Sequence, residues 1–221
     1  MTRTQRMLRT DGEATRNRIL EAAGVLFSSV GFAETTNKMI ATKAQADLAS
    51  INYHFGSRSG LYQAVLVEAH RRLVNIEHLQ QLAAADLPAR DKLRVLIEGL
   101  VDGATADQGW HAAVLSREFL APSSHLHVLR EAEIDMKLPF VLGILTEITA
   151  IPAGDPALLR CLISVVAPCA MLLIVGPNAS PFADEIRQMP RKALIDHLHS
   201  FAVAGLEAAG RNHITASGEK E

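Results

Sequence analysis

The sequence predicts an all-α protein of about nine helices: a three-helix, helix-turn-helix domain at the N-terminus and a larger helical domain behind it. Three observations predict this. Hydrophobic residues make up 48% of the 221 positions and aromatics only 5%, with Ala and Leu abundant and few β-branched runs between turn signals. Apolar residues recur three and four apart through most of the chain, the period of an amphipathic helix. Charge is uneven: residues 1–72 hold 10 Lys/Arg against 6 Asp/Glu, and the remainder 12 against 18. A basic front and an acidic rear suit a head that meets nucleic acid on a body that phosphate repels.

Residues 1–10, with Arg3, Arg6 and Arg9 among polar neighbours, are expected to form a disordered basic arm. A solvated tail is the plain reading, and arginines laid into a minor groove the sharper one. From Asp11 the pattern becomes helical. Ile19, Ala22, Ala23, Leu26 and Phe27 share one face, and Gly31 suits a C-cap, so the first helix is expected from about residue 12 to 30.

The stretch Thr35 to Phe55, TTNKMIATKAQADLASINYHF, reads as helix, turn, helix. Thr35 or Thr36 can N-cap the first, whose inner face is Ile40, Ala41 and Ala44. Gln45 and Ala46 make the turn, and Asp47 is placed to cap the second helix, Leu48 to His54. Short side chains at its start (Leu48, Ala49, Ser50) let that end enter a major groove, and Asn52, Tyr53 and His54 follow within reach of bases or phosphates. Gly56 ends it, and Ser57 caps a long helix expected over Arg58 to about Ala84. Arg58, in its first turn beside exposed amides, makes an anion seat. The helix-turn-helix domain is thus placed at residues 11–57.

The second domain is placed at 58–210. Pro88 opens a helix that turns Leu93, Leu96, Ile97, Leu100 and Val101 inward and fades in a loop, Asp102–Gly109. Trp110 to Ala121 forms a short helix. Ser123 caps a longer one reaching about Ala150, kinked by Pro139. After a turn at Ile151–Pro156, an apolar helix with Pro168 in its interior runs from Ala157 to Val175, where Gly176–Pro177 stop it. A last helix spans Phe182 to Ala209, and 211–221 is expected to be a disordered tail. These last two helices carry more apolar surface than one body needs, which predicts a homodimer.

Several classes are set aside. Cys161 and Cys169, eight residues apart on one helix, are separated by about 12 Å, too far for a disulfide, which suits a reducing cytoplasm. MTRTQRMLRTDG lacks the apolar core of a signal peptide. The most apolar stretch, Leu158 to Val175, is interrupted by Arg160, Ser164 and Pro168, so no membrane span is expected. His125 and His127, like His197 and His199, are two apart and point away from each other on a helix, so no metal site is expected. HExxH, GxSxG, a phosphate loop and CxxC are absent, and neither an enzyme nor a cofactor is expected.

GEATRNRILEAAGVLFSSVGFAETTNKMIATKAQADLASINYHFGSRSGLYQAVL resembles the DNA-binding domain of the TetR family of transcriptional regulators. The match runs from about Glu13 to Leu66: the ILEAA, LF and GF opening, the TT start, the IA pair, and the SINYHFGS and LY close. The resemblance implies a homodimeric regulator with an all-helical ligand-binding body. It also implies roles for particular residues. Thr36 and Lys38 would approach phosphates, Leu48, Ser50 and Asn52 would face the groove, Tyr53 and His54 would contact backbone or bases, and Arg58 would stand where the family has a phosphate-binding lysine. Two positions depart from the pattern. Gln45 occupies the usual glycine of the turn, which implies a left-handed backbone there, and Met39 stands where a charge is usual.

The body is similar to the TetR subgroup with a CecR-type C-terminal domain, on DKLRVLIEGLV, REFLAPSS and the kinked helix after it. In family terms the last two helices of each subunit pair as a four-helix interface. An effector pocket is expected among the middle helices, with Trp110, His111, Leu115, Arg117, Glu118, Met136, Phe140 and Met171 as candidate lining for a small apolar or aromatic molecule. Core packing is the plainer reading of Trp110, Phe140 and Met171, and a structural ion pair that of Arg117 with Glu118. The expected function is a ligand-released repressor on a palindromic operator. The alternative is a helical binding or adaptor protein that does not read DNA sequence.

Overall fold

The computed structural model describes residues 3–105, 109–174 and 183–218. The Gly176–Pro177 stop, part of the loop expected after Asp102, the end of the tail, and the side chains of Arg3, Arg6 and Arg9 lie outside the described residues. Among the described residues there are twelve α-helices, one π-helical stretch and no strand.

The chain forms two compact units. The first comprises residues 1–72 and 108–133, the second 73–107 and 134–221. In the first lie α1 (Arg3–Ser29), α2 (Asn37–Ala44), α3 (Leu48–Phe55) and α4 (Arg58–Leu73, up to Arg72). The second holds α5 (Ile76–Ala84) and α6 (Ala89–Thr105). The chain then returns to the first for α7 (Trp110–Leu120) and α8 (Leu126–Leu129), and a π-helical stretch (Arg130–Ile134) crosses the boundary. α9 (Asp135–Thr149), α10 (Pro156–Ile174), α11 (Ala183–Gln188) and α12 (Arg191–Gly218) complete the second unit. The boundary expected at residue 57 therefore falls inside the first unit. Tyr62 explains this: its ring packs edge-on to Phe27 at 5.0 Å and beside Phe32 at 4.7 Å, which makes α4 part of the head's core.

In the first unit α1 buries Ile19, Ala23 and Phe27 as its spacing requires. Gly31, at φ +95°, ends it by donating to the Phe27 carbonyl. α7 crosses α1 where Gly24 leaves no side chain: a Cβ there would lie 2.1–2.5 Å from three atoms of the Trp110 ring. The Trp110 indole N–H then reaches Glu21 Oε2 at 2.8 Å.

In the second unit α5, α6, α9, α10 and α12 share one core, in which Leu93, Ile97, Val101, Leu145, Leu158 and Ile195 are almost fully buried. Lys92 is buried as well, its Nζ donating to the Ala83 carbonyl at the end of α5 and lying 3.7 Å from Glu147. Both cysteines are buried and free, and desolvation pushes the Cys169 thiol up to about 11.

Several expected bounds change. The helix expected over 58–84 breaks at Val74–Asn75, where Asn75 Oδ1 accepts from the Glu77 and His78 amides and starts α5 afresh. α1 begins at Arg3 rather than near residue 12, since its first residues include good helix formers and no proline. Asp102–Thr105 belong to α6, with Asp102 held in a bidentate pair by Arg191. The last helix is divided by Pro190, and its second part reaches Gly218, eight residues into the expected tail. α10 is long and apolar enough to cross a membrane by length and composition, with mean hydropathy of 2.3, because Arg160 is its sole charge. Its buried residues, among them Leu158, Cys161 and Val165, lie in the core of the second unit.

Candidate nucleic-acid interface

Thr36, in extended backbone, N-caps α2 by accepting from the Met39 amide at 3.2 Å, and Lys38 is exposed in the helix's first turn. Ile40, Ala41 and Ala44 are buried, which fixes α2 against α1. Met39, where a charge is usual, is 37% exposed. α2 ends in a Schellman arrangement: the Ala46 amide reaches the Ala41 carbonyl and the Gln45 amide that of Thr42. Gln45 is left-handed, at φ 51° and ψ 49°, as the usual glycine at this position implies.

α3 follows with Asp47 at its N-cap position, although the Asp47 side chain makes no capping bond. Ile51 is fully buried and anchors the helix. Around that anchor α3 turns its other residues outward: Leu48 is 51% exposed and Tyr53 84%, with Asn52 exposed and Ser50 and His54 half-exposed. The Tyr53 and His54 rings meet edge-on at 4.9 Å, and Arg16 lies over the half-buried Phe55 ring at 5.1 Å. A helix that buries one small face and exposes Leu48, Asn52 and Tyr53 leaves most of its surface free to meet another molecule.

Arg58 is placed differently from an open phosphate seat. Its Nη1 donates to the Thr35 carbonyl at 2.7 Å and its guanidinium covers the Phe32 ring at 4.5 Å. Beside α3, an open polar cleft is lined by Thr15, Arg18, Lys38, Thr42, Gln45, Asp47 and Ser50. Thr15, Arg18 and Thr42 were not singled out in the sequence. The visible signal was TRNR, a run of polar residues immediately before the apolar face of α1.

The eight candidate pocket residues are divided between the two units. Trp110, His111, Leu115, Arg117 and Glu118 belong to the first unit, and Met136, Phe140 and Met171 to the second. Trp110 and Leu115 are core. Glu118, 1% exposed, accepts from the Tyr62 hydroxyl at 2.8 Å and from the Ser123 amide and hydroxyl. Burial, and then the Glu118 carboxylate, push the Tyr62 phenol well above its usual range. Arg117 donates to the Ser29 carbonyl, so it and Glu118 take different partners. Met136 and Met171 are about half exposed, while Phe140 packs on the core of its unit. Within the second unit a smaller cleft lies between α5 and α6, lined by apolar residues from Leu73 to Leu100 with Asn75 and His78 as polar groups. Gly99 opens onto it, with nothing within 4 Å of an added Cβ.

Residues 19–65 match the family model of bacterial regulatory proteins, tetR family. The HTH-type transcriptional dual regulator CecR of Shigella flexneri is 28% identical over 156 residues, covering 65% of this chain and 69% of that protein. Among solved structures, a TetR-like transcriptional regulator from Rhodococcus sp. RHA1 superposes with a TM-score of 0.63 at 21% identity, over 87% of this chain and 95% of that one. The fatty acid degradation regulator FadR from Bacillus halodurans does so at 0.68 and 14%, over 87% and 96%. FadR from Bacillus subtilis, in complex with stearoyl-CoA, gives 0.64 at 16%, over 85% and 97%.

Proposed function

We propose that this chain, a TetR-family transcriptional regulator, acts in the cytoplasm as a homodimeric repressor that occupies a near-palindromic operator and is released by a small apolar or aromatic molecule. The observation that carries the reading is α3, anchored by Ile51 and exposing Leu48, Asn52 and an 84% exposed Tyr53. Leu48, Ser50 and Asn52 would enter the major groove, Tyr53 and His54 would meet bases or backbone, and Thr36 and Lys38 would approach phosphate. One such helix makes few contacts. Two of them, one turn of B-DNA or about 34–36 Å apart, read a palindrome.

Release needs an effector that prefers one state of the protein. A hundredfold loss of operator affinity requires about 2.7 kcal/mol of differential binding. The chain passes between the units at 72–73, 107–108 and 133–134, and the break at Val74–Asn75 lies next to the first of these. That joint, rather than an unbroken helix, is the element we assign to the change. The α5–α6 cleft beside it is our first candidate for the effector, ahead of Trp110, His111, Leu115, Arg117, Glu118, Met136, Phe140 and Met171.

The test is fluorescence anisotropy on DNA upstream of the gene and on duplexes selected from random sequence, with non-specific competitor. Tight binding that resists competitor and falls at least tenfold in Tyr53→Ala supports the reading, and the same assay then screens aromatic compounds and acyl-CoAs for release. Binding that is equal on all duplexes and erased by salt would show only phosphate contact, and a helical adaptor would replace the regulator.

A further inference from the structure

We propose that Arg58 is a positioning residue for DNA binding, a strap that ties the first turn of α4 to the start of α2, and not a phosphate contact. The inference rests on the DNA-binding reading above and changes what this residue does within it.

The geometry is specific to an arginine. One nitrogen, Nη1, donates to the backbone carbonyl of Thr35 at 2.7 Å, while the guanidinium carbon sits 4.5 Å from the centre of the Phe32 ring. A planar, delocalised cation makes both contacts at once, whereas an ammonium on a flexible stem satisfies one at a time. Both partners are themselves fixed. Thr35 is fully buried, and its hydroxyl donates to the Gly31 carbonyl at 2.6 Å. The Phe32 ring lies among Phe27, Tyr62 and His125 at centroid separations of 4.7 to 5.9 Å.

The strap also ends at a consequential place. Thr35 is followed by Thr36, the N-cap that starts α2. The short α2 is joined to α3 by the tight turn at Gln45 and Ala46, so the placement of Thr35, together with the buried faces of α2 and α3, sets where the reading helix points. The strap lets a displacement of α4 reach α2 and α3 through one carbonyl. A phosphate contact and a strap both make Arg58 necessary, but they predict different variants.

The experiment measures operator affinity at several salt concentrations for the full-length wild type, Arg58→Lys, Arg58→Ala, Phe32→Leu and the Arg58→Lys/Phe32→Leu double variant. Thermal unfolding is followed alongside to confirm that each folds. The expected result is that Arg58→Lys loses at least tenfold, although it keeps the charge, and that the dependence of log K on log salt keeps the wild-type slope. Phe32→Leu, which removes the seat of the guanidinium, should lose a similar factor, and the double variant should lose little more than either single one. A phosphate contact behaves otherwise. Lysine would preserve most of the affinity, Phe32→Leu would leave it unchanged, and Arg58→Ala would lower the salt slope by about 0.9. Any of those three outcomes overturns the proposal. Failure of the wild type to bind any duplex specifically would instead overturn the DNA-binding reading itself.

Discussion

Arg72 shows how much one side chain can organise in the head. Its Nε and Nη2 donate to Glu68 at 2.7 Å and to Glu21 at 2.5 Å, and its Nη1 lies 2.6 Å from His111 Nε2. An arginine has donors only, so His111 must accept, and its Nε2 carries no proton in this arrangement. Burial first, and the Arg72 charge second, hold the His111 imidazole below its usual range, against the weaker pull of Glu21 and Glu68. The sign follows. A base whose pKa is lowered on folding stabilises the fold fully above its unfolded value of about 6.5, and that contribution is lost as pH falls through the lower, folded value. Acidification from pH 7.5 to 5.5 is therefore expected to lower the melting temperature, and His111→Gln, which still accepts but cannot take up a proton, should flatten that dependence. Trp110 gives a direct readout, being the single tryptophan of the chain and 4.1 Å from the His111 ring. Its fluorescence should titrate with a midpoint below 6.5 in the wild type and not in His111→Gln, and an identical titration in both would refute the assignment. The Glu21 carboxyl does not confuse this window. Burial raises it, but hydrogen bonds from Trp110 and Arg72 bring it below its ordinary value, so its contribution is lost only at more acid pH.

At the scale of elements the joint between α4 and α5 decides the most. Leu66, Ala69, Leu73 and Ile76 keep helical spacing straight through it, which is why an unbroken helix is the natural expectation. The break depends on Asn75, whose side chain satisfies two amides at the start of α5 at 2.7 and 3.1 Å. Asn75→Ala is expected to cost about 1 kcal/mol, the usual loss of a cap, or roughly 2–4 °C for a chain of this size. A calorimetric melt that is unchanged or raised would mean that packing rather than the cap holds the break. α2 and α3 were legible in the sequence, because Thr36, the turn and Gly56 mark their ends locally, and the left-handed Gln45 followed from the family resemblance, in which glycine usually holds that position. The membership of α7 in the first unit was not, because the contacts that place it, Trp110 to Glu21 and Tyr62 to Glu118, join residues 89 and 56 positions apart. Apolar spacing marks a residue for burial without naming its partner, so the spacing of Trp110 and Leu115 is compatible with core and with pocket lining alike.

For the whole molecule, the proposed reading of a palindrome requires two heads, and the second unit carries an exposed apolar surface suited to joining them. Leu159 and Ile163, one turn apart on α10, are 47% and 65% exposed, and Phe201 on α12 is 71% exposed. Phe201, Ala202 and Gly205 line a groove with Cys161 and Val165 of α10. Left in water, several large apolar groups on two neighbouring helices favour association, and a stable dimer needs about 800 Å² from each partner. Glutamate at position 201 adds a charge that a second copy would have to desolvate without a partner. Because Phe201 is mostly exposed, the change leaves the core of the single chain intact. Sedimentation of the wild type should give twice the 23.9 kDa chain mass, and Phe201→Glu the mass of one chain with an unchanged circular dichroism spectrum. Operator affinity should then fall by at least a hundredfold and its salt slope by about half, because the phosphate contacts of one head are lost. A variant that stays dimeric and binds as before would place the interface elsewhere. A monomeric variant that keeps full affinity would remove the dimer from the mechanism altogether.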